Sequence, residues 1–160
     1  MTTQPPTQPA TPTSPTHVVT AFLVRTDRGR DEILLVRRSE RVRTYRGAWA
    51  AISGYLEPGV TPLDQAYTEL SEEASLPRDA VELLRVGAPL PVRDEAQGLS
   101  WVVHPFLFAL AQPHRIRTDW EATEHRWASP DELAALATVP MLAEALARVY
   151  MPGGLAGASS

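Results

Sequence analysis

Three glutamates, Glu69, Glu72 and Glu73, fall within five positions of the stretch "SGYLEPGVTPLDQAYTELSEEASL", which holds no lysine or arginine. If the stretch is helical, with about 100° of turn per residue, Glu73 lies about 40° from Glu69 and Glu72 about 60° to the other side. The three carboxylates then share one face. Leu63, Ala66, Leu70 and Ala74 form an apolar stripe beside that face rather than opposite it. Like charges at these spacings destabilise a helix by a few tenths of a kcal/mol per pair. Glu72 and Glu73 also sit toward the helix C-terminus, where the dipole disfavours anions. Two readings follow: a solvated acidic face, or a cation site. An all-oxygen set of this kind suits Mg²⁺, which keeps several waters that a phosphate can displace.

The surrounding sequence shows what must position these residues. "HVVTAFLVR", His17 to Arg25, and Ile33 to Arg37 read as two strands of a hairpin around the polar turn "TDRGRDE". "RRSERVRTYRG" reads as an arginine-rich loop, and Trp49 to Ile52 as a short strand entering the acidic stretch. Thr61 as N-cap, Pro62 at the first helical position and Asp64 in the first turn start the helix, and Pro77 ends it. Val81 to Ala88 and Trp101 to Ala111 are further strands, with Val92 to Ser100 as the loop between them. "EHRWAS" reads as a last short strand. "SPDELAAL" opens a helix with a capping-box pattern, and Pro140 to Tyr150 forms another. Strands mixed with helices predict an α/β fold in which helices cover a mixed sheet.

Composition bounds the function. The 160 residues are 44% hydrophobic and 21% charged with a net charge of −4, the profile of one globular domain and not of a general nucleic-acid binder. All 15 basic residues are arginine. Cysteine is absent, which excludes a disulfide frame, a thiolate metal site and a cysteine nucleophile, and fits a cytoplasmic location. No apolar run reaches the roughly 18 residues of a membrane span. The expected organisation is a disordered leader over residues 1–16, one domain over 17–151 and a flexible tail over 152–160.

The acidic stretch resembles the Nudix box, G-x5-E-x7-R-E-U-x-E-E-x-G-U with U aliphatic. Gly54, Glu69, Leu70, Glu72, Glu73 and Leu76 match it. Val60, Thr68 and Ser75 stand where the pattern has glutamate, arginine and glycine. The "EPG" and "TPLDQA" flanks and the later "EHRWASPDEL" are also similar to the family, so the resemblance spans about Val18 to Leu146. It implies a Nudix-type α/β/α sandwich and hydrolysis of a nucleoside diphosphate linked to another moiety, with Mg²⁺ or Mn²⁺ as cofactor. It leaves a homodimer open. Glu69, Glu72 and Glu73 would be metal ligands and catalytic residues, and Ser53 a further ligand through its carbonyl. An additional ligand or base is expected from "TDWEATEHRW", where Glu121 fits best, Glu124 second, and Asp119 is also available. The arginines before the box would meet diphosphate oxygens, Arg37 and Arg46 being the chosen pair. Tyr45, Trp49, Trp101 and His104 are candidates for base stacking or for core packing.

The departures favour a second reading. In the family the residues at positions 60 and 68 are charged partners that orient the metal glutamates. Losing both strands no charge, so the pattern reads as a coupled replacement, with Glu57 as one candidate substitute. The alternative function is a catalytically weak or inactive nucleotide-binding domain of the same fold. The isomerase that shares this fold relies on a cysteine and is excluded. Ser75 for glycine is expected to cost little if the helix end is reshaped around Pro77.

Overall fold

The computed structural model describes residues 15–111 and 115–151. The leader and tail predicted for residues 1–16 and 152–160 lie outside these residues, apart from Pro15 and Thr16, and Thr16 already opens the first strand.

The long strand β1 (Thr16–Asp27) alternates side chains between two buried layers, as its β-branched and apolar sequence requires. It turns into β2 (Arg30–Arg38) and pairs antiparallel with it from Val24↔Ile33 to Asp27↔Arg30, the predicted hairpin. Over its first half β1 pairs instead with β4 (Ile52–Tyr55), antiparallel, at Val18↔Tyr55 to Ala21↔Ile52. The two-residue β3 (Trp49–Ala50) continues this edge onto β2. On its other side β1 runs parallel to β7 (Leu99–Leu110). β7 in turn carries β5 (Val81–Val86) and β6 (Leu90–Asp94), both antiparallel, and β8 (Ala122–Ala128) closes against β2. The result is one mixed eight-stranded sheet.

Each face of the sheet buries its own core. Val19, Ala21, Leu23, Leu34, Val36, Phe106 and Phe108 meet Ala66, Leu70 and Ala74 of helix α1 (Pro62–Ala74). Phe22, Val24, Ile33, Leu35, Val103 and Leu107 meet Leu133, Leu142, Ala145 and Leu146 on the other side. This is the expected α/β/α sandwich.

Helix α1 begins as its sequence dictates: the Thr61 hydroxyl accepts a hydrogen bond from the Asp64 amide at 3.2 Å. Its end corrects one expectation. The helix is not reshaped around Pro77. Ser75 adopts the left-handed conformation (φ 57°, ψ 37°) that glycine favours, and the Leu76 amide reaches back to the Leu70 carbonyl at 3.0 Å. Serine therefore carries the strain, with its hydroxyl donating to the Arg117 carbonyl at 3.0 Å.

Three further elements differ from expectation. Val92 to Ser100 is not all loop, because β6 spans Leu90–Asp94; it pairs only with β7, and an edge strand tolerates Pro91. "SPDELAAL" forms its capping box but stays a 3₁₀ segment over Pro130–Ala135. Beyond it the chain is pulled straight to pair with β3: the Trp49 amide donates to the Ala137 carbonyl and the Val139 amide to the Trp49 carbonyl. The last helix, α2, is confined to Leu142–Ala147.

Candidate active site

The register of β1 with β4 sets Ser53 opposite Thr20 and places Gly54 under helix α1. Gly54 has room for no side chain: a Cβ there would overlap the Glu69 carboxylate. The glycine therefore lets Glu69 lie against the strand. One turn later the Glu73 carboxylate accepts the Ser53 amide hydrogen at 3.2 Å. Helix and strand are stitched together through acidic side chains.

A cleft opens at this junction. Val36 and Arg38 of β2, Ala50, Ala51 and Ser53 at β3–β4, Glu73 of α1, and Asp119, Glu121 and Ala122 at the entry to β8 line it. The Glu121 strand entry is anchored by two hydrogen bonds, its carbonyl accepting from the Ser39 amide at 2.8 Å and its amide donating to Asp119 Oδ1 at 3.0 Å.

Burial grades the box glutamates. Glu73 is 8% exposed, Glu69 is half-buried and Glu72 faces solvent. Burial pushes the Glu73 carboxyl up to about 10, helped by the Glu121 carboxyl beside it and by repulsion from Glu69. Burial likewise raises Glu69 to about 7, against the hydrogen bond from Gln65, with Glu72, Glu121 and Glu57 adding repulsion. None of the ion pairs among the described residues involves Glu69, Glu72, Glu73 or Glu121. Nor do three His, Asp or Glu side chains among these residues stand grouped as a ready metal site. Burial without a cationic partner favours the protonated form of these carboxyls. The donor set, carboxylate oxygens only, is that of a hard cation.

The structure sorts the other candidates. The Glu121 carboxyl stands beside Glu73. Glu124 does not: it pairs with Arg37 at 3.3 Å and is 52% exposed. Ser53 lines the cleft, and its amide donates to Glu73. Arg37 Nε donates to the Gly47 carbonyl, Arg46 Nε to the Val42 carbonyl and Arg38 Nε to the Thr44 carbonyl, so all three arginines are engaged with the loop before the box strand. Arg38 is the arginine that lines the cleft. Strand alternation could have indicated it, because Arg38 shares the face of Leu34 and Val36. Trp49 and Trp101 pack against the core of the α2 side. Tyr45 donates to Asp94 Oδ2 at 2.6 Å, and His104 is bonded to His17 at 2.8 Å. Gln65 was missed altogether. It is 2% exposed and bridges the Glu57 amide and the Glu69 carboxylate.

The family model for the NUDIX domain matches residues 15–149. The chain belongs to the Nudix family. Over 77 residues it is 35% identical to the 8-oxo-dGDP phosphatase NUDT18 of Mus musculus and 36% identical to that of Homo sapiens. The aligned part is 48% of this chain but only 21% of each of those proteins. Among solved structures, a C. elegans Ap4A hydrolase in a binary complex superposes with a TM-score of 0.72 at 19% identity, covering 83% of this chain and 93% of that one. The Nudix hydrolase RenU of M. smegmatis gives 0.68 at 22% identity, covering 82% and 80%. At these identities the superpositions establish the Nudix fold.

Proposed function

We propose that the chain hydrolyses a diphosphate bond in a nucleoside diphosphate derivative, using Mg²⁺ or Mn²⁺ held by Glu69, Glu72, Glu73 and Glu121. The observation that carries this reading is the Glu73 and Glu121 carboxyls side by side in one cleft, with Glu69 one turn away on α1 and no ion pair to any of the three among the described residues. When bound, the divalent ion supplies charge neutralisation at the phosphate oxygens and a more acidic water. The chain's own residues do the rest. Glu73, fixed by the Ser53 amide, would have to be ionised to hold such an ion. Glu69 or Glu121 accepts the proton of the attacking water. Arg38, which lines the cleft while its Nε is held by the Thr44 carbonyl, is the arginine placed to meet a diphosphate there.

The relatives' names, 8-oxo-dGDP phosphatase and Ap4A hydrolase, point to nucleoside di- and polyphosphates as the first substrates to try. Val60 and Thr68, standing where the box has its charged pair, favour a second reading: a nucleotide-binding domain with little or no turnover. One screen separates the two. 8-oxo-dGDP, Ap4A, ADP-ribose, nucleotide sugars, NADH and coenzyme A are incubated with the protein and Mg²⁺ or Mn²⁺, and product release is followed. Turnover of at least one, lost in Glu72→Gln/Glu73→Gln, is the expected result. Nucleotide binding without turnover of any would establish the binding domain instead.

A further inference from the structure

With Val60 and Thr68 in the box, the question is what holds Glu69. Val60 has no polar side-chain atom. The Thr68 hydroxyl is spent on its own helix, donating to the Asp64 carbonyl at 3.1 Å, and faces solvent. Glu57, one candidate substitute, is an exposed loop acid and contributes its backbone. Its amide donates to Gln65 Oε1 at 3.1 Å. That contact fixes the orientation of the Gln65 side chain, since a backbone N–H needs an oxygen opposite it. Gln65 Nε2 is thereby aimed at Glu69 Oε1, 2.9 Å away. The two residues lie one turn apart on α1, and Gln65 is 2% exposed, packed where it cannot swing away.

We propose that Gln65 is the positioning residue for Glu69, clamping its carboxylate between helix α1 and the Gly54 strand by a neutral amide that also ties down the Glu57 loop. The inference rests on the reading of Glu69 as a metal ligand. Neutrality is the point of the device. An arginine in contact with Glu69 would hold the carboxylate and also cancel its charge, whereas an amide holds it and leaves the full charge for a cation. Burying a primary amide is costly unless its oxygen and nitrogen both find partners, and here both do. Gly54 completes the clamp from the opposite side, since any Cβ there would displace the Glu69 carboxylate.

The test is a double-mutant cycle on Mn²⁺ affinity, read by electron paramagnetic resonance on the full chain without substrate. Gln65→Met keeps the volume and removes both hydrogen bonds. It is expected to weaken Mn²⁺ binding about tenfold, the lower end of what loss of a residue supporting a metal ligand costs. In a Glu69→Ala background the same change is expected to cost less than about twofold, because the side chain through which it acts is already gone. An undiminished Mn²⁺ affinity in Gln65→Met would overturn the proposal. So would an equal loss in both backgrounds, which would mark a general loosening of the helix. Wild-type protein that binds no Mn²⁺ would instead overturn the metal reading on which the proposal stands. Should Gln65→Met not fold, the Gln65 side-chain amide signal in ¹⁵N NMR of the wild type decides. It is expected to shift as Mg²⁺ saturates the protein, and an unmoved signal counts against the clamp.

Discussion

Gly54 and Glu69 show how closely two residues fifteen positions apart can depend on each other. Glu69 reaches its place only because the strand beneath it carries no Cβ. The obstruction in Gly54→Ala would be the far end of a flexible side chain, so the fold can yield by turning Glu69 aside. The expected outcome is a urea midpoint close to wild type with hydrolysis reduced about 100-fold, the scale on which a displacement of about 1 Å acts on a catalytic group. Equal activity in Gly54→Ala would show that Glu69 is not needed where it stands. At this scale the sequence was partly legible. Glu69, Glu72 and Glu73 were visible because helical periodicity is a local property, and Glu121 through the family resemblance, by its place six residues before Trp127. Arg37 and Arg46 were chosen over Arg38 because a run of arginines gives no orientation until the strand register is known. Gln65 gave no signal, since its two partners lie at Glu57 and Glu69 and a buried glutamine looks like any surface one.

At the scale of elements, the start of α1 was legible because its signals are local, whereas the form of its end was not. Thr61, Pro62 and Asp64 act within one turn, and Ser75 keeps a left-handed cap. Removing the cap hydrogen bond by Thr61→Ala should destabilise the protein by about 1 kcal/mol. Chemical denaturation checks this, and an unchanged midpoint would mean that the helix start is held by packing alone. The elements that were misread are those where a distant partner overrides local preference. The capping box at Ser129 and Glu132 starts a helical turn as written. The chain beyond Leu136 is then drawn out to bond both sides of Trp49, ending the helix after two short turns. β6 was hidden for the same reason. Pro89 and Pro91 argue for a loop, and only the free edge of β7 at Leu99–Val103 makes a strand of Leu90–Asp94. Neither partner is visible from within the segment.

The whole molecule couples its folding to the charge state of the cleft. Without metal, Glu69 is raised from 4.5 to about 7 and Glu73 from 4.5 to about 10. A carboxyl raised in this way binds more proton in the folded state than in the unfolded one. Its contribution is therefore fully present below about pH 4.5 and is lost as pH rises through the folded value. Other groups bracket a clean window for measuring this. His104 is lowered by burial and by His17, so its effect has the opposite sign and ends near pH 6.5. Tyr45 and Tyr150 are raised to about 12 and act only above their usual value of 10. Between pH 7 and 9 the slope belongs mainly to Glu73. Chelated protein should lose stability across this window by up to about one proton's worth, or about 1.4 kcal/mol per pH unit. Glu73→Gln should flatten the slope and be the more stable variant at pH 9. Saturating Mn²⁺ should reverse it, because an ion binding ionised carboxylates binds more tightly as protons leave. Urea midpoints at pH 7, 8 and 9, with chelator and with Mn²⁺, test both signs. A midpoint independent of pH in chelator would mean that Glu73 is ionised in the fold. The acidic cluster would then carry its charge without either proton or metal, and the case for a cation there would lose its physical ground.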